Sequence, residues 1–281
     1  MGDIRSFALV VLDKRDKIVD RYNIDIATNL GGLGYKLKLS TIDTDVENYV
    51  TKIVQEKKQL TMTIIHQQRY TSANYFDAWV QKNINNVMCL EYNDTTKTLY
   101  VEGKVVETGK TEINEFGVLE QQFVFQPLTP FFEKVENDVR IQVSSVGKKY
   151  SFNYPYHYGL NQIENNSINN TYIKDIPINV TIYGAISNPI VSLLDENNNI
   201  YNQVRFLNVD LQEGQSIIIN SAQKKIWFDN GTGNLVDYYY KIDGAYDSYL
   251  RAKPLMTSKL NINLTSNDSG SLTGSRRQYR L

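Results

Sequence analysis

The apolar residues along most of this chain stand at every second position, and this period-two pattern constrains the fold more than any other feature. It is seen at Leu60, Met62 and Ile64, and again at Phe123 and Phe125. Successive side chains of an extended strand point to opposite faces, so such alternation is typical of strands with one buried face. The chain is therefore predicted to be mainly β.

One stretch has helical spacing instead. Tyr75, Phe76 and Trp79 recur three or four positions apart behind residues that can cap a helix, which predicts a helix from about Ser72 to Asn83. A second stretch, Val46–Val54, has the same spacing but is rich in β-branched residues. Because these residues are stiff in a helix and favour strands, both assignments stay open there.

The length of 281 residues, with 41% hydrophobic and 22% charged residues, is typical of a globular chain with two domains. The two prolines of Gln126–Pro130 should end a long strand. Short strands separated by turn clusters follow in the second half, which is the spacing of a β-sandwich. We predict a first domain over residues 1–145 and a second over residues 146–281.

The C-terminal tail has a different composition. Residues 266–281 mix Ser, Gly and Thr with Arg276, Arg277 and Arg280. Segments of this kind at a chain end are often poorly ordered. The tail is predicted to be flexible unless a partner orders it.

Charge and composition disfavour several classes of partner. Lys and Arg number 30 against 31 Asp and Glu, so no net field attracts nucleic acid or an anionic membrane. No apolar run approaches the roughly 18 residues of a membrane span. The N-terminal stretch is too short and too acidic for a signal peptide, which predicts a cytoplasm-like setting.

The residues that carry most enzyme chemistry are scarce. Cys89, His66 and His157 are the only cysteine and histidines, too few for a thiolate or imidazole metal cage. Gly109–Thr111 lacks the spacing of a phosphate loop, and Asp195–Asn199 lacks the glycine and glutamate of a calcium loop. We assign no catalytic, cofactor-binding or metal residue. A calcium site of another design and a carboxylate pair of a hydrolase stay open.

Aromatic residues of the second half offer a candidate glycan site. Tyr154, Tyr156, Tyr158, Trp227 and Tyr239 could stack on sugar rings, although one buried face of a strand is the more ordinary explanation. The candidate glycan contacts are Trp227 and Tyr239.

The order of these features resembles one known family. A helix with the pattern Tyr75–Trp79 precedes a β run ending in Phe123–Phe132 and then the segment Tyr154–Gly159. The second half adds the strand and turn Ile182–Pro189 and the hairpin sequence Leu211–Ile219. This series resembles the distal tail proteins of long-tailed phages that infect Gram-positive bacteria.

The resemblance implies a structural protein of the virion tail tip, assembled in the host cytoplasm. Its first domain, a β-sandwich or barrel with one helix, is expected to close into a hexameric ring. Its second is expected to be a jelly roll, similar to galectins or carbohydrate-binding modules, although it lacks a recognisable galectin sugar cluster. The implied partners are further copies of the chain, the tail tube protein and the tail hub or lysin protein. Receptor-binding or accessory baseplate proteins are further candidates.

The positions that this interpretation singles out are interface positions. A carbohydrate-binding module or adhesin acting on host cell-wall glycans is the alternative function. The candidate ring interface comprises Phe7, Leu9, Val11, Val105, Phe123 and Phe125, and the candidate interdomain linker comprises Tyr154, Pro155, Tyr156 and Tyr158.

Overall fold

The computed structural model describes residues 5–32, 36–43, 48–56, 58–94, 96–144, 160–263 and 270–279. The chain divides into two compact units: unit 1 is Met1–Glu133 with Tyr279–Leu281, and unit 2 is Lys134–Gln278. The predicted linker, Tyr154 to Tyr158, lies outside the described residues. So does the boundary predicted between residues 145 and 146, which stays a proposal.

Unit 1 is a curled antiparallel sheet with one helix. The sheet order is β3-β6-β9-β8-β7-β1-β2, and its two end strands follow each other in the chain. Only Asp25 and Ile26 separate β2 from β3, and Ile65 N–H donates to the Ile26 carbonyl at 3.1 Å, so the ends of the sheet are brought together. The elements are β1 (Ser6–Leu12), β2 (Ile18–Ile24), β3 (Ala27–Gly31), β4 (Lys36–Asp43), β5 (Asn48–Glu56), β6 (Leu60–His66), α1 (Tyr70–Lys82), β7 (Val87–Asp94), β8 (Lys97–Lys110), β9 (Leu119–Pro127) and the start of β10 (Phe132–Ser144).

The core of unit 1 lies between the sheet and the helix. Phe76 and Trp79 of α1 pack in one buried cluster with the alternating apolar residues of β1, β6 and β9. Strand β1 is buried on both faces, because its other side chains pack in a second cluster. That second cluster contains Ala8, Val10, Leu12, Cys89 and Phe132.

The local predictions for unit 1 agree with the structure, apart from small shifts. The helix predicted from Ser72 to Asn83 is α1, which begins two residues earlier and ends at Lys82. The ambiguous stretch Val46–Val54 belongs largely to strand β5, as its β-branched residues favour. Strand β9 ends at Pro127, within the proline segment predicted to end it.

Unit 2 is built from two main antiparallel sheets. One has the order β23-β13-β18-β19-β20 and the other β12-β22-β15-β16. Both bury apolar side chains, the construction of a β-sandwich, while the galectin-like jelly-roll detail stays a prediction. After β10 the strands are β11 (Leu160–Asn165), β12 (Ser167–Asn170), β13 (Ile176–Tyr183), β14 (Ile186–Ser187), β15 (Ile190–Leu194), β16 (Ile200–Arg205), β17 (Asp210–Leu211), β18 (Ser216–Asn220), β19 (Lys225–Asp229), β20 (Leu235–Asp237), β21 (Arg251–Ala252), β22 (Met256–Asn263) and β23 (Gly270–Tyr279), with a 3₁₀ turn at Tyr239–Lys241.

The prediction of a flexible tail was wrong for residues 270–279. They form β23, which pairs with β13 from Ile178 opposite Arg276 to Tyr183 opposite Ser271. Leu272 is 0% exposed and Arg277 only 1% exposed. The composition suggested flexibility because Ser, Gly and Thr hide the alternation of apolar and polar residues in this strand. In addition, its partner β13 lies far away in the sequence.

In the described ranges, no helix has the length and apolar character needed to span a bilayer.

Candidate interaction surfaces

The structure places most of the predicted ring-interface side chains inside unit 1. Leu9, Val11, Phe123 and Phe125 are buried in the core, and Phe7 and Val105 are half-buried against it. Their strands are also paired on both sides: β1 lies between β2 and β7, and β9 lies between β6 and β8. Both edges of β9 are thus covered within the chain itself. A single chain does not test the interface, which stays a proposal.

The two end strands of the unit 1 sheet are irregular. Along β2, Val11 pairs with Asp20 and Leu12 with Ile18, so Val19 is bulged out and is 61% exposed. Strand β3 has a register shift between Thr28 and Gly31. Bulges on edge strands discourage a further strand from pairing. Simple strand addition at these edges is therefore disfavoured as a way to join copies.

Strands β4 and β5 form a hairpin apart from this sheet. They pair from Lys36 opposite Glu56 to Asp43 opposite Asn48, with one register shift between Ser40 and Thr41. Among the described strands they pair only with each other. An isolated two-stranded hairpin is marginally stable in water, so this arm is a natural candidate for docking on another surface.

The β8–β9 hairpin ends in a tight loop that presents an aromatic ring to solvent. Phe116 is 82% exposed. Asn114 Oδ1 accepts hydrogen bonds from the Phe116 N–H at 3.0 Å and the Val118 N–H at 2.9 Å. Gly117 has a φ of 74°, which a glycine adopts without strain, and its carbonyl accepts a bond from Arg69 Nε at 3.1 Å. The ring is thus held on an ordered loop.

Sequence reasoning missed Phe116 as a candidate contact. It lay within a stretch interpreted as one long β run, and its neighbour Asn114 gave the available signal. An Asn followed by a Gly three positions later is typical of a tight turn, and connecting segments of this kind run over the protein surface. Burying such a ring at an interface would contribute about 1.5–3 kcal/mol.

His66 belongs to a buried polar chain that ties α1 to the sheet. Its Nε2 donates to Gln121 Oε1 at 2.8 Å, because an amide oxygen can only accept. Gln121 Nε2 donates to Asp77 Oδ1 at 2.6 Å, and Lys110 Nζ lies 2.6 Å from Asp77 Oδ2. Burial lowers the pKa of His66 below 6.5, against the opposing effect of its bond to Gln121. The geometry gives this histidine a structural role.

A second polar cluster fixes the outer side of strands β2 and β7. The Arg21 guanidinium donates to both carboxylate oxygens of Glu91, at 2.9 and 2.6 Å. The neighbouring Tyr100 phenol is half-buried, and burial is the main reason that its pKa rises to about 12, with the charge of Glu91 adding to it. The ion pair thus links two strands that flank β1, and it satisfies the buried carboxylate of Glu91.

The two candidate glycan contacts lie in different surroundings in unit 2. Trp227 is half-buried in β19, opposite Ile218 on one side and Asp237 on the other. Tyr239 is 49% exposed in the 3₁₀ turn, and its hydroxyl shares a 3.1 Å hydrogen bond with Ser248 Oγ. Tyr239 is therefore available to a ligand, and Trp227 much less so.

The structure also places the acidic, cysteine and turn residues that the sequence raised as candidates for chemistry. Within the described ranges, no group of three or more His, Cys, Asp and Glu side chains is placed to hold a metal ion. Cys89 is buried in the apolar cluster behind β1. The Asp195–Asn199 turn is closed by its own bonds, since Asp195 Oδ1 accepts the backbone N–H groups of Asn197 and Asn199.

Comparison with known proteins agrees with this geometry. Residues 7–128 match the family model described as the distal tail protein, N-terminal domain. That range covers unit 1 almost completely and includes the curled sheet, α1 and the Phe116 loop. No curated protein matches the chain.

Solved structures match along both units. A chain of the phage P2 baseplate in its activated conformation with calcium has a TM-score of 0.70 and 13% identity, over 99% of each chain. A chain of the strontium form of that baseplate has a TM-score of 0.70 and 14% identity, over 99% of each chain. The Dit protein of phage SPP1 has a TM-score of 0.57 and 9% identity, over 98% of this chain and 99% of that one. It is described as a paradigm of the hub adsorption apparatus in phages that infect Gram-positive bacteria. At such identities the likeness shows a shared fold.

Proposed function

We propose, from the membership of residues 7–128 in the distal tail protein family, that this chain is a structural hub of a phage tail tip. That it is a distal tail protein of a phage follows from the family match. The proposal adds two points to this. Copies of the chain close into a hexameric ring at the end of the tail tube, and the chain acts without catalysis.

Two projections of unit 1 support a contact between copies. A ring closes when one patch of a subunit fits a different patch of the next at a fixed rotation. Among the strands that the structure describes, β4 and β5 pair only with each other, and the Phe116 loop holds an exposed aromatic ring. We assign both to the interface, because the bulged strands β2 and β3 do not favour simple strand addition.

The proposed partners are the tail tube protein on one side of the ring and the tail hub or lysin protein on the other. Receptor-binding or accessory baseplate proteins would complete the assembly. Support for this comes from the folds that match along both units, which belong to a phage baseplate and to a hub adsorption apparatus. The protein would act at the virion tail tip after assembly in the host cytoplasm.

The test is the assembly state of the purified full chain. Mass photometry and negative-stain electron microscopy over rising concentrations, with and without the tail tube protein, should show rings of six copies. Phe116→Asp should shift the population from hexamers to monomers. It should leave the melting temperature unchanged, because the Phe116 side chain is exposed in the single chain. Ile173→Asp, an exposed apolar position of unit 2, should leave the rings intact.

Two results would count against these assignments. If only monomers are seen at every concentration, even with the tail tube protein present, the proposed hexameric ring is contradicted. If Phe116→Asp forms hexameric rings as stable as those of the wild type, the ring proposal stands, but the Phe116 loop is not part of its interface.

A further inference from the structure

Unit 2 contains a polar cleft. Its volume is about 330 Å³, within the range of small-ligand sites. Tyr201 and Asn202 of β16 line one side, and the segment around strand β21 lines the other with Asp247, Arg251 and Lys253. The cleft therefore combines an aromatic ring with hydrogen-bonding groups of both kinds.

Hydrogen bonds fix the two sides of the cleft to each other. Asn202 Oδ1 accepts the Arg251 N–H at 3.0 Å, and Asn202 Nδ2 donates to the Tyr249 carbonyl at 3.3 Å. Asp247 Oδ2 accepts the Gln203 N–H at 3.1 Å. These bonds use the amide of Asn202 and one oxygen of Asp247 to hold the walls in place. A ligand would meet a preformed site, which lowers the entropy lost on binding.

The charged side chains of the cleft are not paired with one another. Within the described part of the chain, the side chains of Asp175 and Arg251 make no hydrogen bond or ion pair, although both line the cleft. The Lys253 ammonium lies 4.6 Å from the centre of the Tyr201 ring, as a cation–π contact. The cleft therefore offers a ligand both an open acceptor, Asp175, and an open donor, Arg251.

Aromatic rings continue from the cleft to the surface. Tyr249, which lines the cleft, has its ring centre 6.2 Å from that of Tyr239, with the two planes 30° apart. The Tyr239 hydroxyl bonds Ser248, a further lining residue. Tyr239, predicted from the sequence as a glycan contact, therefore lies at the margin of this cleft, whereas Trp227 does not line it.

We propose that this cleft binds a neutral saccharide. Sugar hydroxyls both donate and accept hydrogen bonds, so they suit a site lined by the open carboxylate of Asp175 and the open guanidinium of Arg251. The C–H faces of sugars pack on aromatic rings such as Tyr201 and Tyr249. Two carboxylates and two cations line the cleft, so it offers no net charge to a phosphate polymer. The site lies within unit 2 and does not depend on ring formation.

The experiment uses the full chain on an array of neutral hexose and N-acetylhexosamine oligosaccharides, with poly(glycerol phosphate) on the same surface. A neutral oligosaccharide that binds is then titrated by calorimetry. The double variant Asp175→Asn with Arg251→Gln should weaken that binding about tenfold or more. Its melting temperature should not change, because the two side chains make no bond within the described part of the chain.

A matched control separates the site from a general effect of charge. Glu213→Gln with Lys97→Gln also removes one negative and one positive charge, at exposed positions that do not line the cleft, and should bind like the wild type. Three results would overturn the proposal: binding of no neutral saccharide, binding of poly(glycerol phosphate) alone, or equal affinity in the cleft double variant. None of them bears on the ring.

Discussion

Lys82 Nζ donates a hydrogen bond to Asp20 Oδ2 across 2.9 Å, which ties the last turn of α1 to the bulged end strand β2. Asn83 Nδ2 donates to the same oxygen at 3.2 Å and to the Trp79 carbonyl at 3.1 Å. The bond from Lys82 is the largest reason that the pKa of Asp20 falls from 3.8 to about 2. The carboxylate of Asp20 thus anchors the C-terminal end of the helix to β2.

Asp20→Asn should lower the free energy of unfolding of unit 1 at neutral pH by about 1 kcal/mol or less, because solvent screens this partly exposed pair. A folded-state pKa below the unfolded value adds stability above about pH 4, and this stability is lost as the pH falls toward 2. Denaturant unfolding followed by Trp79 fluorescence in a Trp227→Phe background reports on unit 1 alone. Glu107→Gln is the exposed control, and an equal loss at pH 7 and pH 2 would contradict the prediction.

Gln121→Ala should destabilise unit 1 by about 1–3 kcal/mol, because it leaves the buried His66 imidazole without its hydrogen-bond partner and removes the link to Asp77. The neighbouring Gln122 faces solvent, so Gln122→Ala is the matched control and should change stability by less than about 0.5 kcal/mol. Thermal unfolding measures both. Equal effects of the two substitutions would show that the polar chain does not stabilise the fold.

His66 should titrate below its ordinary pKa of 6.5. Because the folded state resists protonation, the unfolded state binds the proton more readily, and stability should fall as the pH drops below about 6.5. Proton NMR of the imidazole in a His157→Gln background follows this one histidine. A midpoint at or above 6.5 would mean that the imidazole is not held in its buried bond to Gln121.

Leu272→Ala should destabilise unit 2 by about 2–4 kcal/mol, because the side chain is fully buried where β23 pairs with β13. A flexible tail would tolerate the change without cost. Unfolding followed by Trp227 in a Trp79→Phe background gives the value for unit 2. Thr273→Ala, on the other face of the same strand, is the control and should cost clearly less.

Much of the local structure could be predicted from neighbouring residues. The alternation at Leu60, Met62 and Ile64 marked strand β6, and the spacing of Phe76 and Trp79 marked the helix. Period and turn chemistry act over a few residues, so a linear pattern carries them. The order of such motifs also indicated the family whose N-terminal domain model matches residues 7–128.

The surfaces could not be predicted in the same way. Phe123 and Phe116 stand close together in the chain, yet one is buried in the core and the other is exposed on a loop. Which strands flank β9, and whether the tail finds β13, depends on pairings between distant residues.

A mainly β chain with one helix and a strand that ends at the prolines could be predicted from the order of residues, because these properties follow from local backbone preference and side-chain period. The tertiary structure alone decided which apolar residues are interior, that residues 270–279 form a buried strand, and that Asp175, Arg251 and Tyr201 share one cleft. The physical reason is that burial and proximity arise from contacts between segments far apart in the chain, which no local pattern records.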